Sequence, residues 1–349
     1  MKTKILLLMF SALFTLSLQA QSLGEFNAKT SEMGKGKLAK APKKVYIASF
    51  NVNFEIYMEA MDFERGGSTF GGGQRSDATA KAAIGLGGID AADIQAKTDQ
   101  LYSEFVAQLK AGGLEIITAD EAGKTEVYED WERATGPFVA ESGIPGVLMC
   151  LPEGQSQYYR GTKKNGRIKK GIIDDNLIPA KLSDQLGDAI IANVNLYFMF
   201  SEEGINVFKG NAAKVKIFTN LRMVGDYTIS APNENGFLKG QETLDRIASL
   251  VTFHQGKQGL GSPVFFGTNL KKPLEVEGVV KKQKVVAYQK QGSSTPTSFS
   301  GVSYMDTADR FSKNATWIEV DSKKYAEGLY MAAKMMLDNG TQSLVSNLQ

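Results

Sequence analysis

The chain has 349 residues, with 40 basic and 38 acidic side chains and a net charge of +2. Such a balance excludes a protein that works through one concentrated basic face, and nucleic acid is not an expected partner. A single cysteine, Cys150, excludes an internal disulfide, and a single histidine, His254, leaves little from which to build a histidine metal centre or a Ser-His-Asp triad.

Met1-Lys2-Thr3-Lys4 is a short positive stretch, Ile5 to Leu18 is apolar, and Leu18-Gln19-Ala20 ends on a small residue. This pattern predicts a secretory signal peptide over residues 1–20, too short for a membrane span, with export and a mature start at Gln21. No cysteine lies near residue 20, which removes that route to a lipid anchor. Residues 21–43, with Lys29, Lys35, Lys37, Lys40 and Lys43 among small residues, read as a flexible lead-in. Residues 44–349 read as one α/β domain with insertions near 58–95 and 153–181.

Lys44 to Tyr57 alternates Phe50, Val52, Phe54 and Ile56 with Ser49, Asn51, Asn53 and Glu55, which predicts a strand with one wet face. Glycines crowd the stretch from Gly66 to Gly88, yet their spacing matches no dinucleotide or phosphate loop. A mobile insertion or a membrane-contacting hairpin is the expectation there. Gly123-Lys124-Thr125 resembles the tail of a phosphate loop, but Thr118 stands where the first glycine is required and the segment falls in a predicted helix.

Leu101, Phe105, Val106 and Leu109 recur at helical spacing, followed by Gly112-Gly113, the apolar run Leu114-Glu115-Ile116-Ile117, and Thr118-x-x-Glu121. That succession predicts a helix, a tight turn, a strand and a capped second helix. Glu126, Glu129, Asp130 and Glu132 read as a solvated helix face. Ile144 to Leu151 predicts a strand in which Cys150 is a small buried hydrophobe. Residues 153–171, with Tyr158, Tyr159, Arg160 and several lysines, read as an exposed basic loop, and Leu182 to Leu186 as a brief helical turn.

Further strands are predicted at Ala189 to Phe200, Lys214 to Leu221 and Pro263 to Gly267, with a turn at Asn235-Gly236 and a loop at 291–303. Leu274 to Gln289 reads as a β-hairpin whose tip carries Lys281, Lys282 and Lys284, and His254 as structural or surface. Thr316 to Val320 predicts a last strand, and Asp321 caps a helix bearing Tyr325, Leu329, Tyr330, Ala333, Met336 and Leu337, with Gly340 as its stop.

The expected fold is α/β, a mixed sheet sandwiched with helices and carrying glycine-rich and β-hairpin insertions. The order strand (Val45 to Phe50), helix (Leu101 to Leu109), Gly-Gly, strand and helix (Gly113 to Glu121) resembles the start of the curli-secretion-channel family and its TolB N-terminal-like relatives. The helix Lys323 to Leu337 also stands where such a fold would have one. The resemblance covers about half of the mature chain. Channel subunits of that family are typically lipoproteins, whereas this chain has no lipobox cysteine, and none of their constriction residues is carried over to a position here. The resemblance implies a non-enzymatic, self-associating protein of the periplasm or outer membrane. The first function class expected is accordingly a binding or assembly module, whose amphipathic stretches Lys44–Tyr57 and Leu274–Lys290 would be the ones to reach a bilayer. The competing expectation is an exported hydrolase working through carboxylates, which would need a pocket holding two or more perturbed acids. No catalytic, metal or cofactor-binding residue is nominated.

Overall fold

The structure, a computed structural model, describes residues 21–68, 74–161, 177–204, 212–233, 240–256, 264–290 and 315–348. In chain order, β1 (Ser22–Leu23), β2 (Ala28–Met33) and the single turn α1 (Lys35–Leu38) precede the long strand β3 (Lys44–Glu55). Next come β4 (Tyr57–Glu64), β5 (Gly67–Ser68), β6 (Gln74–Arg75), β7 (Ala78–Gly87) and α2 (Ala91–Ala111). A small lobe follows: β8 (Glu115–Ile117), α3 (Ala119–Ala122), a 3-10 turn at Glu126–Tyr128, β9 (Trp131–Thr135), β10 (Phe138–Glu141), β11 (Val147–Leu151) and β12 (Ser156–Arg160). The second half holds α4 (Ile178–Gln185), β13 (Ile190–Glu203), β14 (Ala212–Met223), β15 (Tyr227–Asn233), β16 (Gly240–Ile247), β17 (Leu250–Gln255) and β18 (Val264–Leu270). β19 (Leu274–Glu277), β20 (Gln283–Lys290), β21 (Thr316–Glu319) and α5 (Ser322–Ser346) close it.

Twelve of these strands form one sheet. Its long members each take two neighbours along a single edge. β13 runs parallel to β3 on one side, while its other edge pairs first with β17 and then, past a bulge between Met199 and Ser201, with β14. β14 in turn carries β20 along most of its length and β19 at its end. Changing neighbours along a strand lets the strongly twisted sheet split into two branches, one continuing to β18 and β2 and the other to β20.

Alternation decides the two faces of β3. Val45, Ile47, Phe50, Val52 and Phe54 are buried beneath the helices. Phe105 of α2 sits between Phe50 and Phe253, with ring centroids 5.7 and 6.4 Å away, and Leu101 and Leu109 are buried beside it. α2 and α5 pack against each other over this face. Burying a side chain of this size is worth roughly 2–3 kcal/mol, and helices of this length need such packing to persist. The expected caps form: Thr118 accepts from the Glu121 N–H at 3.2 Å, and Asp321 accepts from the Lys324 N–H at 3.0 Å.

Several expectations are corrected. The fold is not an α/β sandwich: about half of the chain is strand and a quarter helix, and the long helices cover one face only. Segments read as linkers and loops are strands whose partners lie far away in the chain. Residues 21–43 are no lead-in, since β1 pairs with β19 and β2 extends the sheet beyond β18. Part of the basic stretch at 153–171 is β12, paired with β9. Leu274–Gln289 is not a hairpin, because β19 and β20 both pair with β14 and not with each other. α3 ends before Gly123-Lys124-Thr125, and the acidic group at 126–132 spans a turn and the start of β9 instead of a helix face.

Gly340 does not stop α5. A Cβ there would meet Val251 Cγ1 at 2.9 Å, so the missing side chain lets the helix lie close on β17 and continue to Ser346. The glycine-rich stretch contains β7, which pairs antiparallel with β4 just ahead of it and runs parallel to β21. Ala78, Ala80 and Ala82 of β7 are buried, and a Cβ at Gly85 would strike the Trp317 ring. Small residues there serve close packing of sheet on sheet. Residues 1–20, 69–73, the Asn235-Gly236 turn and the 291–303 loop lie outside the described residues.

Candidate functional site

The face of the sheet turned away from α2 and α5 carries the polar half of the alternation, and the register aligns those residues into rows. Ser49 of β3 stands opposite Asn193 of β13, Asn193 opposite Thr252 of β17, Thr252 opposite Gly267 of β18, and Gly267 opposite Ser31 of β2. The next row is Asn51, Asn195, Leu250, Asn269 and Lys29. A third brings together Ile191, His254 and Phe265. β3 and β13 each carry the tripeptide Asn-Val-Asn, at 51–53 and 193–195. In both, the valine goes to the core.

These side chains bond to one another across the parallel pair. Ser49 Oγ donates to Asn193 Oδ1 at 3.2 Å, Asn195 Nδ2 donates to Ser49 Oγ at 3.4 Å, and Asn51 Nδ2 donates to Asn195 Oδ1 at 2.8 Å. The network is incomplete. Asn51 is only 9% exposed, yet its Oδ1 accepts no hydrogen bond, and neither does the buried Oε1 of Gln157 on β12. A buried acceptor without a donor costs roughly 1–3 kcal/mol.

The floor lies at the bottom of a groove of about 790 Å³. One wall is aromatic: Tyr128 and Tyr158 stack with centroids 4.2 Å apart, and Trp131 leans on Tyr128 at 5.3 Å. Arg160 lies over the outer side of Trp131 at 5.1 Å, and Tyr158 is held by donating to the Ala119 carbonyl at 3.0 Å. Ile178, Pro179 and Leu182 of α4 close one end. Among the described residues no aspartate or glutamate lines the groove, and the basic members are Lys29 and His254. Burial pushes His254 down to about 4, so its imidazole is neutral at ordinary pH. The described lining is therefore almost uncharged, and rich in amides, hydroxyls and ring faces.

A second cavity, of about 670 Å³, opens at the other end of β3 and is acidic, with Glu55, Glu59, Asp62, Glu202 and Glu203 among its lining. Glu55 is fully enclosed and answers the β13 bulge: its Oε2 accepts from the N–H groups of Phe200 and Ser201 at 3.0 and 2.9 Å, and its Oε1 from Ser201 Oγ at 2.8 Å. Burial raises its pKa to about 7, against the pull of those donors and of Arg222. Arg222 and Tyr227 both donate to the Ser201 carbonyl, which completes the clamp on the bulge. Asp62 accepts from the Lys214 N–H at 2.9 Å, and Glu59 from the Tyr57 hydroxyl at 2.6 Å.

Of the residues named in the sequence analysis, Lys29, Ser49, Asn51, Tyr158, Leu182 and His254 line the groove. Cys150 is buried with its thiol pushed up to about 11 by desolvation, which suits a packing residue and not a nucleophile. The wet face expected for β3 is mostly covered, since Asn51, Asn53 and Glu55 are all buried. Asn51 was read only as part of a wet strand face, and Asn193, Asn195 and Gln157 were missed. The repeated Asn-Val-Asn was the available signal, because asparagine is unfavourable in strands unless its amide is used. Among the described residues no group of three or more His, Cys, Asp or Glu side chains is placed to hold a metal ion. Among them, too, no helix is long and apolar enough to cross a membrane. Compared with family models, with curated proteins and with solved structures, the chain matches none.

Proposed function

We propose that this chain is an exported envelope protein that works without catalysis, as a binding and assembly module associating with copies of itself in the periplasm or at the outer membrane. The observation that carries this reading is the outer edge of β20. Among the described strands β20 pairs with β14 alone. Its outward face with β14 is a chequerboard, in which Phe218, Lys216 and Lys214 stand opposite Lys284, Val286 and Tyr288. Phe218 and Val286 are each 42% exposed, and Lys284 reaches over the Phe218 ring at 5.8 Å. The inward side is ordinary core, with Val215, Ile217 and Ala287 buried. An edge strand offers unpaired backbone groups to another chain, and exposed apolar side chains on it favour that pairing.

The lysines would hold such a face soluble until it is covered, by a second copy or by a bilayer surface. Sedimentation of the mature protein with and without detergent tests the proposal. Oligomers that Val286→Asp dissociates are expected, and a monomer in both conditions overturns it. The alternative of a carboxylate hydrolase finds one acid with a raised pKa, Glu55, in the acidic cavity. Both oxygens of Glu55 are engaged by the bulge, which leaves it poorly placed to move a proton for a substrate.

A further inference from the structure

We propose that the uncharged groove on the open face of the sheet binds a neutral carbohydrate chain. The proposal goes beyond self-association, for the groove and the β20 edge are different surfaces. The first argument is charge. Among the described lining residues there is no carboxylate and Lys29 is the one ammonium group, so this lining holds nothing that would favour a metal cation or pay the desolvation of a phosphate. The second is hydrogen bonding. Asn51 Oδ1 and Gln157 Oε1 are acceptors lacking donors. Neighbouring atoms close both off from solvent, so a ligand satisfies them only where the floor side chains turn toward it and it brings hydroxyl or amide N–H groups; an apolar one leaves them unpaired.

The third argument is the wall. Trp131 and the stacked Tyr128 and Tyr158 offer rigid apolar rings beside a hydrogen-bonding floor. A pyranose has the matching shape, with C–H bonds on one face and hydroxyls around its rim. The fourth excludes an extended peptide as strand addition. The floor is a sheet face, and the backbone groups of β13, β17 and β18 are already used in ladders on both sides. The first two rows each cross five strands, a span of roughly 19 Å at about 4.8 Å per inter-strand step, suited to a short run of linked sugar rings.

Titration calorimetry of the mature protein with cellotetraose, chitotetraose and maltotetraose tests this, with trigalacturonate as the anionic control. Saturable binding of at least one neutral tetrasaccharide is expected, with trigalacturonate weaker. Trp131→Ala should weaken binding by about tenfold through the lost ring face. Gln157→Ala should weaken it by roughly three- to tenfold through the lost acceptor. Both variants should keep the wild-type circular dichroism and sedimentation, which separates this result from a failure of assembly. No saturable binding by folded wild-type protein overturns the proposal and leaves the groove to water. Equal affinity in both variants, or tighter binding of trigalacturonate, overturns it as well.

Discussion

Two concavities share β3 and β13, and they treat polar groups in opposite ways. Around Glu55 every oxygen of a buried carboxylate meets a donor from the β13 bulge, and the acid serves to hold the chain's own backbone. Some residues earlier on the same strand, Asn51 reaches a neighbouring amide with its nitrogen and leaves its oxygen without a donor. A satisfied buried polar group stabilises one arrangement of the fold. An unsatisfied one weakens the fold and has a use only if something else supplies the missing partner. The contrast assigns Glu55 to architecture and the groove to recognition.

Substitutions can break that contrast, measured against the apolar side of the same sheet. Phe105→Ala removes the ring packed between Phe50 and Phe253, and urea denaturation should report a loss of about 3–5 kcal/mol. A loss under about 1 kcal/mol would mean that α2 does not anchor the core. Glu55→Leu strands three donors in the interior and should cost about 2–4 kcal/mol. A neutral or stabilised variant would remove Glu55 from its structural role.

The same residue sets a pH dependence. Its folded pKa, about 7, lies above the ordinary 4.5, so the folded state holds the proton more tightly. That contribution to stability is complete below about 4.5 and is lost as pH rises to about 7, by roughly 2–3 kcal/mol. Arg222, Tyr227 and Tyr325 surround it, and burial raises both tyrosine hydroxyls further above their ordinary range, so they stay protonated across this window. His254 acts in the opposite sense: lowered from 6.5 to about 4, it contributes stability above 6.5 that is lost as pH falls through about 4. Glu55→Gln should therefore leave the His254 slope alone, with stability rising with pH. A denaturation midpoint that still falls between these limits in Glu55→Gln would assign the effect elsewhere. The smallest expected effect belongs to the groove. Asn51→Val should change the stability of the ligand-free protein by less than about 1 kcal/mol, since it removes an unpaired acceptor along with one hydrogen bond. A loss comparable to that of Glu55→Leu would make Asn51 a structural residue and erase the distinction.

What could be read from the sequence was local. Helical spacing of Leu101, Phe105 and Leu109 names the buried face of α2, because the period of a helix is set by its own backbone. Thr118 and Asp321 mark helix starts, since a cap bonds to an N–H within its own first turn. Alternation along β3 separates two faces, but alternation does not say what will cover the polar one.

Tertiary structure decided the rest. Asn51 and Asn195 are partners only because β3 and β13 run parallel although 144 positions separate the two residues, and no local pattern encodes that pairing. Gly340 looks like a helix stop until Val251 is seen packed against it. β1, β2 and β12 carry too few apolar residues to announce themselves, and they are strands because distant neighbours supply their ladders. Backbone hydrogen bonds within a helix close over four residues, whereas those of a sheet close wherever the chain returns. For that reason the sequence by itself determined the helices and their caps, while the predominantly β fold, the acidic clamp and the uncharged groove emerged only when remote strands met.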